Sequence, residues 1–275
     1  MSPTFDRLKT ELLRIDAALQ GVTENQVHQA PDKIHHAHLK GLNRLAAASV
    51  RNEVVEDLMR DPDLQSAIGR ISRLKRLNGL RLEDQFASSL LDASDPQAHL
   101  LRFVYYPNYV ALARMEYEGA GLHGGDQVVF LGSGPLPMTL ICLFTGHGIE
   151  GVGIEQDDAR AELSRAVIGK LGMDAHIEII CGDHFDLPIE MPCDLIMVGA
   201  DAMPKTEIFA HLAGILEPGR MVSYRIYEKG LRRLFDDGSR FELPSSFREC
   251  ARVRPEPPVN NTCVVAVRTD DLPPA

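Results

Sequence analysis

Gln127-Val-Val-Phe-Leu-Gly-Ser-Gly-Pro-Leu-Pro-Met-Thr139 is the stretch around which the chain is organised. Val128 to Leu131 is a short apolar run, Gly132-Ser-Gly134 is a turn, and Leu136 to Phe144 is an apolar segment. Strand, glycine turn and helix in that order offer backbone N–H groups and a helix N-terminus to a ligand lying close to the main chain. A dinucleotide fingerprint continues with glycine or small residues. Here Pro135 and Pro137 fix the chain as it enters the helix, where a missing N–H costs little. The stretch therefore reads as a cofactor loop.

Downstream of Gly124-Gly125, short apolar runs alternate with helical segments, the signature of a doubly wound α/β domain. The pattern predicts strands at 127–131, 151–155, 176–181, 193–198 and 220–226, with helices at 137–146, 157–171 and 205–216. Two last strands, 247–253 and 262–268, have no helix between them, which predicts an antiparallel hairpin at the sheet edge. By analogy, that ending is typical of class I S-adenosylmethionine (SAM) methyltransferase-like folds.

Upstream, the pattern is helical. Phe5, Leu8, Leu12, Ile15 and Leu19 recur at three- and four-residue steps, and Gly21 is a stop signal. Further helices are expected at 32–59, 62–77 and 80–91, with Asn78-Gly79 as a break. The expected organisation is an N-terminal α-helical bundle, residues 1–122, on the acceptor side, followed by an α/β domain, residues 123–275.

Composition narrows the function class. With 275 residues, 44% hydrophobic, the chain suits a soluble globular protein, and no apolar run reaches the roughly 18 residues that cross a bilayer. No basic stretch followed by an apolar core marks a signal peptide, so the expected location is cytoplasmic. A net charge of -10 argues against nucleic acid, whose phosphates need a basic face. The five cysteines are odd in number, contain no CxxC and lie in or beside apolar runs, so reduced thiols are expected. His28, His35, His36 and His38 lack the i,i+4 spacing that sets two ligands on one helix face, and no metal is expected.

The chemistry gathers at the predicted strand ends. Glu155 follows Gly132 by 23 positions and ends a strand, a placement suited to the ribose hydroxyls of a nucleoside. Cys181-Gly-Asp183-His184 ends the next strand, with Asp183 placed for an exocyclic adenine amine, and Val198-Gly-Ala200-Asp201 edges the same crevice. Each acid could instead cap a helix or a turn. The missing third glycine and the edge hairpin favour SAM over NAD. Just upstream lies Leu101-Arg-Phe-Val-Tyr105-Tyr106-Pro-Asn-Tyr109, holding three of the six tyrosines. It reads as a structural aromatic knot or, given Asn108, Arg114 and Glu116, as a pocket wall.

Phe103-Val-Tyr-Tyr-Pro-Asn-Tyr109, followed by Phe130-Leu-Gly-Ser-Gly-Pro-Leu-Pro-Met-Thr139, resembles the paired signatures of the nicotianamine synthase family. Val104 stands where that family has proline and Met138 where it has leucine. The resemblance implies a Rossmann-like class I SAM-dependent transferase domain with an N-terminal helical bundle, and SAM as co-substrate. It also implies transfer of the 3-amino-3-carboxypropyl (aminobutanoyl) arm of SAM, not its methyl group, with release of 5'-methylthioadenosine.

On that resemblance Gly132, Ser133, Gly134, Pro135, Glu155, Asp183, His184 and Ala200 are the expected cofactor contacts. Glu83, in Leu80-Arg-Leu-Glu-Asp-Gln-Phe86, and Tyr109 are the expected catalytic residues, with Tyr106 second to them. Glu83, Tyr105 and Arg225 are expected on the acceptor side; Arg225 is suited to pairing a carboxylate bidentately or to a surface salt bridge. Upstream of Glu83, Leu77-Asn-Gly-Leu80 replaces the family's acidic run. That change, with the chain's size, resembles the bacterial opine-metallophore branch, which adds one arm to the amino group of histidine, here preferably L-histidine. The expected partner is this small molecule, with a homodimer left open. The alternatives are a small-molecule SAM methyltransferase and a metal-handling protein using the histidine cluster.

Overall fold

The computed structural model describes residues 4–28, 33–46, 48, 50–188, 190–228, 230–236 and 240–270. Two compact units emerge, Met1–Leu82 with Tyr227–Arg240, and Glu83–Ile226 with Phe241–Ala275.

The first unit is helical. It holds α1 (Phe5–Leu19), α2 (Glu24–His28), α3 (Lys33–Ala46), α4 (Asn52–Arg60) and the first part of α5 (Gln65–Leu91). Leu8, Leu12, Ile15 and Leu19, one stripe of α1, pack with Leu42, Leu58 and Ile71. Leu231 and Leu234, from a 3-10 turn at Gly230–Phe235, complete this core. The predicted helix 32–59 is two helices, because Arg51 is extended and restarts the chain as the N-cap of α4.

The predicted break at Asn78-Gly79 is absent: α5 runs through it for 27 residues. Asn78 is buried, and its side-chain oxygen accepts from Arg81 Nη2 at 2.9 Å one turn on. A lone glycine in a helix costs only about 1 kcal/mol, which such contacts offset. Of the expected histidine cluster, the side chains of His28, His35 and His36 lie outside the described residues. Among those described, no three His, Cys, Asp or Glu side chains group as metal ligands. No described helix is long and apolar enough to cross a membrane.

The second unit contains the end of α5, then α6 (Pro96–Leu100), α7 (Tyr106–Ala120), β1 (Gln127–Leu131), α8 (Met138–His147), β2 (Glu150–Glu155) and α9 (Asp158–Leu171). After them come β3 (Ile177–Cys181), β4 (Leu195–Val198), α10 (Lys205–Ile215), β5 (Met221–Ile226), β6 (Phe247–Val253) and β7 (Thr262–Arg268). The seven strands are ordered β3-β2-β1-β4-β5-β7-β6. The first five are parallel; β7 enters antiparallel beside β5, and β6 pairs antiparallel with β7. The predicted edge hairpin is thus present.

The compact division falls inside α5, not after residue 122 as expected. The reason is packing: α7 lies on α8 and against β5, β6 and β7, so the segment carrying the tyrosines belongs with the sheet.

Register sets the site. Leu131 pairs with Ile154 on one side and Val198 on the other, so β1, β2 and β4 end level, and Glu155 pairs with Cys181 of β3. The carboxyl ends of four parallel strands therefore open on one crevice, where open α/β sheets bind ligands.

Candidate active site

The glycine turn is held by its neighbours. Gly132 and Gly134 have φ of +83° and +73°, a conformation that favours glycine. The Gly132 and Ser133 amides both donate to the Ile154 carbonyl, at 2.9 and 3.0 Å. Gly134 N donates to Glu155 Oε2 at 3.0 Å, while Asp157 N donates to Oε1 at 3.0 Å. One carboxylate thus orients both the cofactor loop and the start of α9.

The Ser133 side chain packs against β2. A Cβ built on Gly153 would come within 2.9 Å of Ser133 Oγ and 2.8 Å of its Cβ. The side chain fills the notch left by Gly153 on β2, and its hydroxyl is buried without a hydrogen-bond partner among the described residues. Pro135 is buried as well and acts through the path it gives the chain.

Glu83 comes from α5 to the other face of this loop. A Cβ on Gly134 would meet Glu83 Oε2 at 3.2 Å. Tyr109, near the start of α7, donates its hydroxyl to Glu83 Oε1 at 3.1 Å. Glu83 as a residue is half-buried, but its carboxyl end is enclosed. Burial pushes its pKa up to about 8; the Tyr109 hydrogen bond works against this, while Asp201, Asp84 and Glu155 add repulsion.

The tyrosine stretch is both knot and wall. Tyr105 caps α7 and meets the Phe103 ring edge-on at 5.6 Å. Tyr106 packs against the sheet core, and burial raises its phenol. Tyr109 stacks on Phe103 at 6.3 Å, so the aromatic knot helps to aim a hydroxyl that reaches Glu83.

Arg225 is the clearest departure from expectation. It does pair a carboxylate bidentately, but the carboxylate is Glu116 of α7, at 2.7 and 2.6 Å. The guanidinium is 5% exposed and Glu116 1%, so the fork is occupied and faces no substrate. Glu116 is correspondingly a buried partner, not part of a pocket wall.

At the β3 end, Asp183 shows the turn role open to it. Its Oδ1 accepts from Phe185 N at 2.7 Å, and its own N–H donates to Asp186 Oδ2 at 2.9 Å. The His184 ring lies tilted against Phe185, centroids 4.1 Å apart, and its buried Nε2 stands 3.9 Å from Glu207 Oε1, beyond hydrogen-bond reach.

After β4 the Ala200 carbonyl faces a residue the sequence argument missed. Lys205, 1% exposed, donates from Nζ to the carbonyls of Gly199, Ala200 and Ala202 at 3.1, 2.8 and 3.2 Å. Its signal was a cation as first residue of α10, where the helix dipole disfavours positive charge. Ala202 in turn lies 3.2 Å from the position of a Cβ on Gly132. Asp84 was also missed; it stands 3.6 Å from Arg160 of α9. Its adjacency to Glu83 was the signal.

The family model described as nicotianamine synthase protein matches residues 10–272. The chain belongs to the nicotianamine synthase family. Barley (Hordeum vulgare) nicotianamine synthase 1 is 30% identical over 194 residues, 66% of this chain. Barley nicotianamine synthase 8 is 27% identical over 208 residues, 70% of this chain. The chain spans only 59% and 63% of the lengths of these two relatives. A mutant of MtNAS in complex with S-adenosylmethionine superimposes with a TM-score of 0.83 at 27% identity, over 94% of this chain and 97% of the other. MtNAS in complex with MTA and tNA gives 0.78 at 25% identity, over 96% and 97%. With the strand order above, the fold is the Rossmann-like one of class I SAM-dependent transferases.

Proposed function

We propose that the chain transfers the 3-amino-3-carboxypropyl arm of SAM to the amino group of histidine, L-histidine preferred, and releases 5'-methylthioadenosine. One observation carries this reading: an enclosed carboxyl, Glu83, lies against the Gly134 turn and is oriented by Tyr109. The residues fit the co-substrate. Glu155 orders the glycine turn from the end of β2, where a nucleoside lies in open α/β sheets, and the carboxylates acting on Glu83 suit a sulfonium cation. Family membership and the likeness to MtNAS with S-adenosylmethionine support SAM.

SAM supplies three electrophilic carbons on one sulfur and a neutral thioether leaving group. Position alone selects which carbon an amine reaches. The acceptor arrives as an ammonium and must lose a proton. Glu83, with a pKa near 8 in the free protein, is matched to taking it. Tyr109 holds the carboxylate in place during that transfer. The new bond joins the amine nitrogen to the arm's γ-carbon, and the carbon–sulfur electron pair leaves on sulfur. Replacement of the family's upstream acidic run by Leu77-Asn-Gly-Leu80 supports one transfer to a small acceptor over growth of a longer chain.

The test incubates the protein with SAM and each histidine enantiomer and weighs the products. Methylthioadenosine together with histidine carrying one aminobutanoyl arm is expected. S-adenosylhomocysteine would assign the protein to methyl transfer instead, and a product with several arms would remove the single-transfer reading.

A further inference from the structure

We propose that the buried Arg225–Glu116 pair holds Tyr109 in register with Glu83 and the glycine loop, which makes Arg225 and Glu116 positioning residues. The inference rests on the reading of Glu83 and Tyr109 as the proton-handling pair.

The geometry is specific. Tyr109 and Glu116 stand seven positions apart on α7, two turns along one helix face. The Glu116 carboxylate takes Nε and Nη2 of Arg225 in a two-point fork. Nη2 also donates to Thr139 Oγ1 at 2.9 Å. Thr139 lies in the first turn of α8, directly after the Gly132–Pro137 loop. The guanidinium sits 5.0 Å from the centre of the Phe130 ring, in the strand that leads into that loop. Arg225 itself belongs to β5. One planar cation, carried on β5, therefore touches the helix bearing Tyr109, the strand before the cofactor loop and the helix after it.

Stability does not explain such a pair. Apolar side chains of similar volume in place of a buried ion pair are often neutral or stabilising, whereas a fork fixes distance and angle as apolar contacts do not. The surroundings leave that role clear. Facing Arg225 are Glu116, Thr139, the Tyr109 phenol, and the Cys142 and Cys263 thiols. Burial raises both thiols, so neither carries charge. Facing Glu83 are Tyr109, Asp84, Asp201 and Glu155. Burial opposes the Arg225 charge, and Glu116 more than offsets it, so the guanidinium stays ionised.

The deciding variant is Glu116→Leu/Arg225→Met, which removes both charges together. It should fold and bind SAM with KM within about threefold of wild type, while kcat falls about a hundredfold, the scale of a 1 Å misplacement. A second readout needs no turnover. The infrared carboxyl band of protonated Glu83, isolated against the matching Glu83→Gln form, should titrate at higher pH, since a displaced Tyr109 no longer donates to it. Wild-type kcat and an unmoved Glu83 titration in the folded double variant would overturn the proposal. If that variant does not fold, Arg225→Lys carries the test: it keeps the charge and loses the fork, and an unchanged kcat and Glu83 titration there would overturn it equally. Should the wild-type protein release no methylthioadenosine, the parent reading falls, and the infrared titration still decides whether the pair positions Tyr109.

Discussion

The two oxygens of Glu83 face different elements: Oε1 accepts the Tyr109 hydroxyl at 3.1 Å, and Oε2 lies 3.2 Å from where a Cβ on Gly134 would stand. A carboxyl, the hydroxyl bonded to it and the glycine turn are thereby within one contact of each other. The carboxyl is enclosed and crowded by like charges, which is how proteins bring an acid's pKa towards neutrality.

Glu83→Gln should keep SAM binding and lose transfer, with kcat down by about two orders of magnitude or more. In the wild type, kcat/KM reports the free enzyme, so it should rise with pH through about 8 as Glu83 ionises. A flat profile between pH 6 and about 9 would remove Glu83 as the base.

The same group bears on stability. Its folded pKa, about 8, is above the ordinary glutamate value of 4.5, so the folded state holds this proton more tightly than the unfolded one. The associated stability is fully present below pH 4.5 and is lost as pH rises through about 8. Glu83→Gln cannot ionise. Its Tm should therefore climb relative to wild type across that window, and a constant difference would contradict the burial argument.

Tyr109→Phe removes the hydrogen bond that opposes the rise in Glu83's pKa. The expected results are a lower kcat, by about ten- to a hundredfold, and an alkaline shift of the kcat/KM profile, with SAM binding little changed. Intact turnover would end the assigned role.

Much of this was legible in the chain. The strand–turn–helix order, the edge hairpin and the acids at strand ends follow from local patterns of period and turn chemistry. What escaped depends on non-local packing. A Gly inside α5 reads as a break because propensity weighs it alone, whereas burial of Asn78, which the local pattern does not reveal, goes with an unbroken helix. Arg225 looks like a free fork because its partner Glu116 is 109 positions away. Ser133 sits in a cofactor motif, yet the absence of a side chain at Gly153, on a different strand, decides where its hydroxyl goes.

That last relation separates two substitutions. Ser133→Ala should leave SAM affinity within about threefold, since only a buried, unpartnered hydroxyl is lost. Gly153→Ala puts a Cβ 2.8 Å from both Ser133 Cβ and Ile179 Cδ1, overpacking that costs about 1–3 kcal/mol. Calorimetric SAM titration and thermal melts would check both, and a Ser133→Ala protein unable to bind SAM would return the hydroxyl to the site.

Gly134→Ala meets a double penalty, a left-handed backbone at φ +73° and a methyl group against Glu83 Oε2. SAM binding should weaken at least about tenfold, given the roughly 1–2 kcal/mol cost of this backbone region for other residues. Unaltered affinity would show that the turn does not lie against the ligand.

The Lys205 ammonium, wrapped by three carbonyls, does what a bound potassium ion does at other loops, but it is tethered. A tethered cation does not dilute away on dialysis or exchange with sodium. The segment after β4 therefore carries its own fixed positive charge, held by the chain at the carbonyls that would otherwise stand without a cation partner.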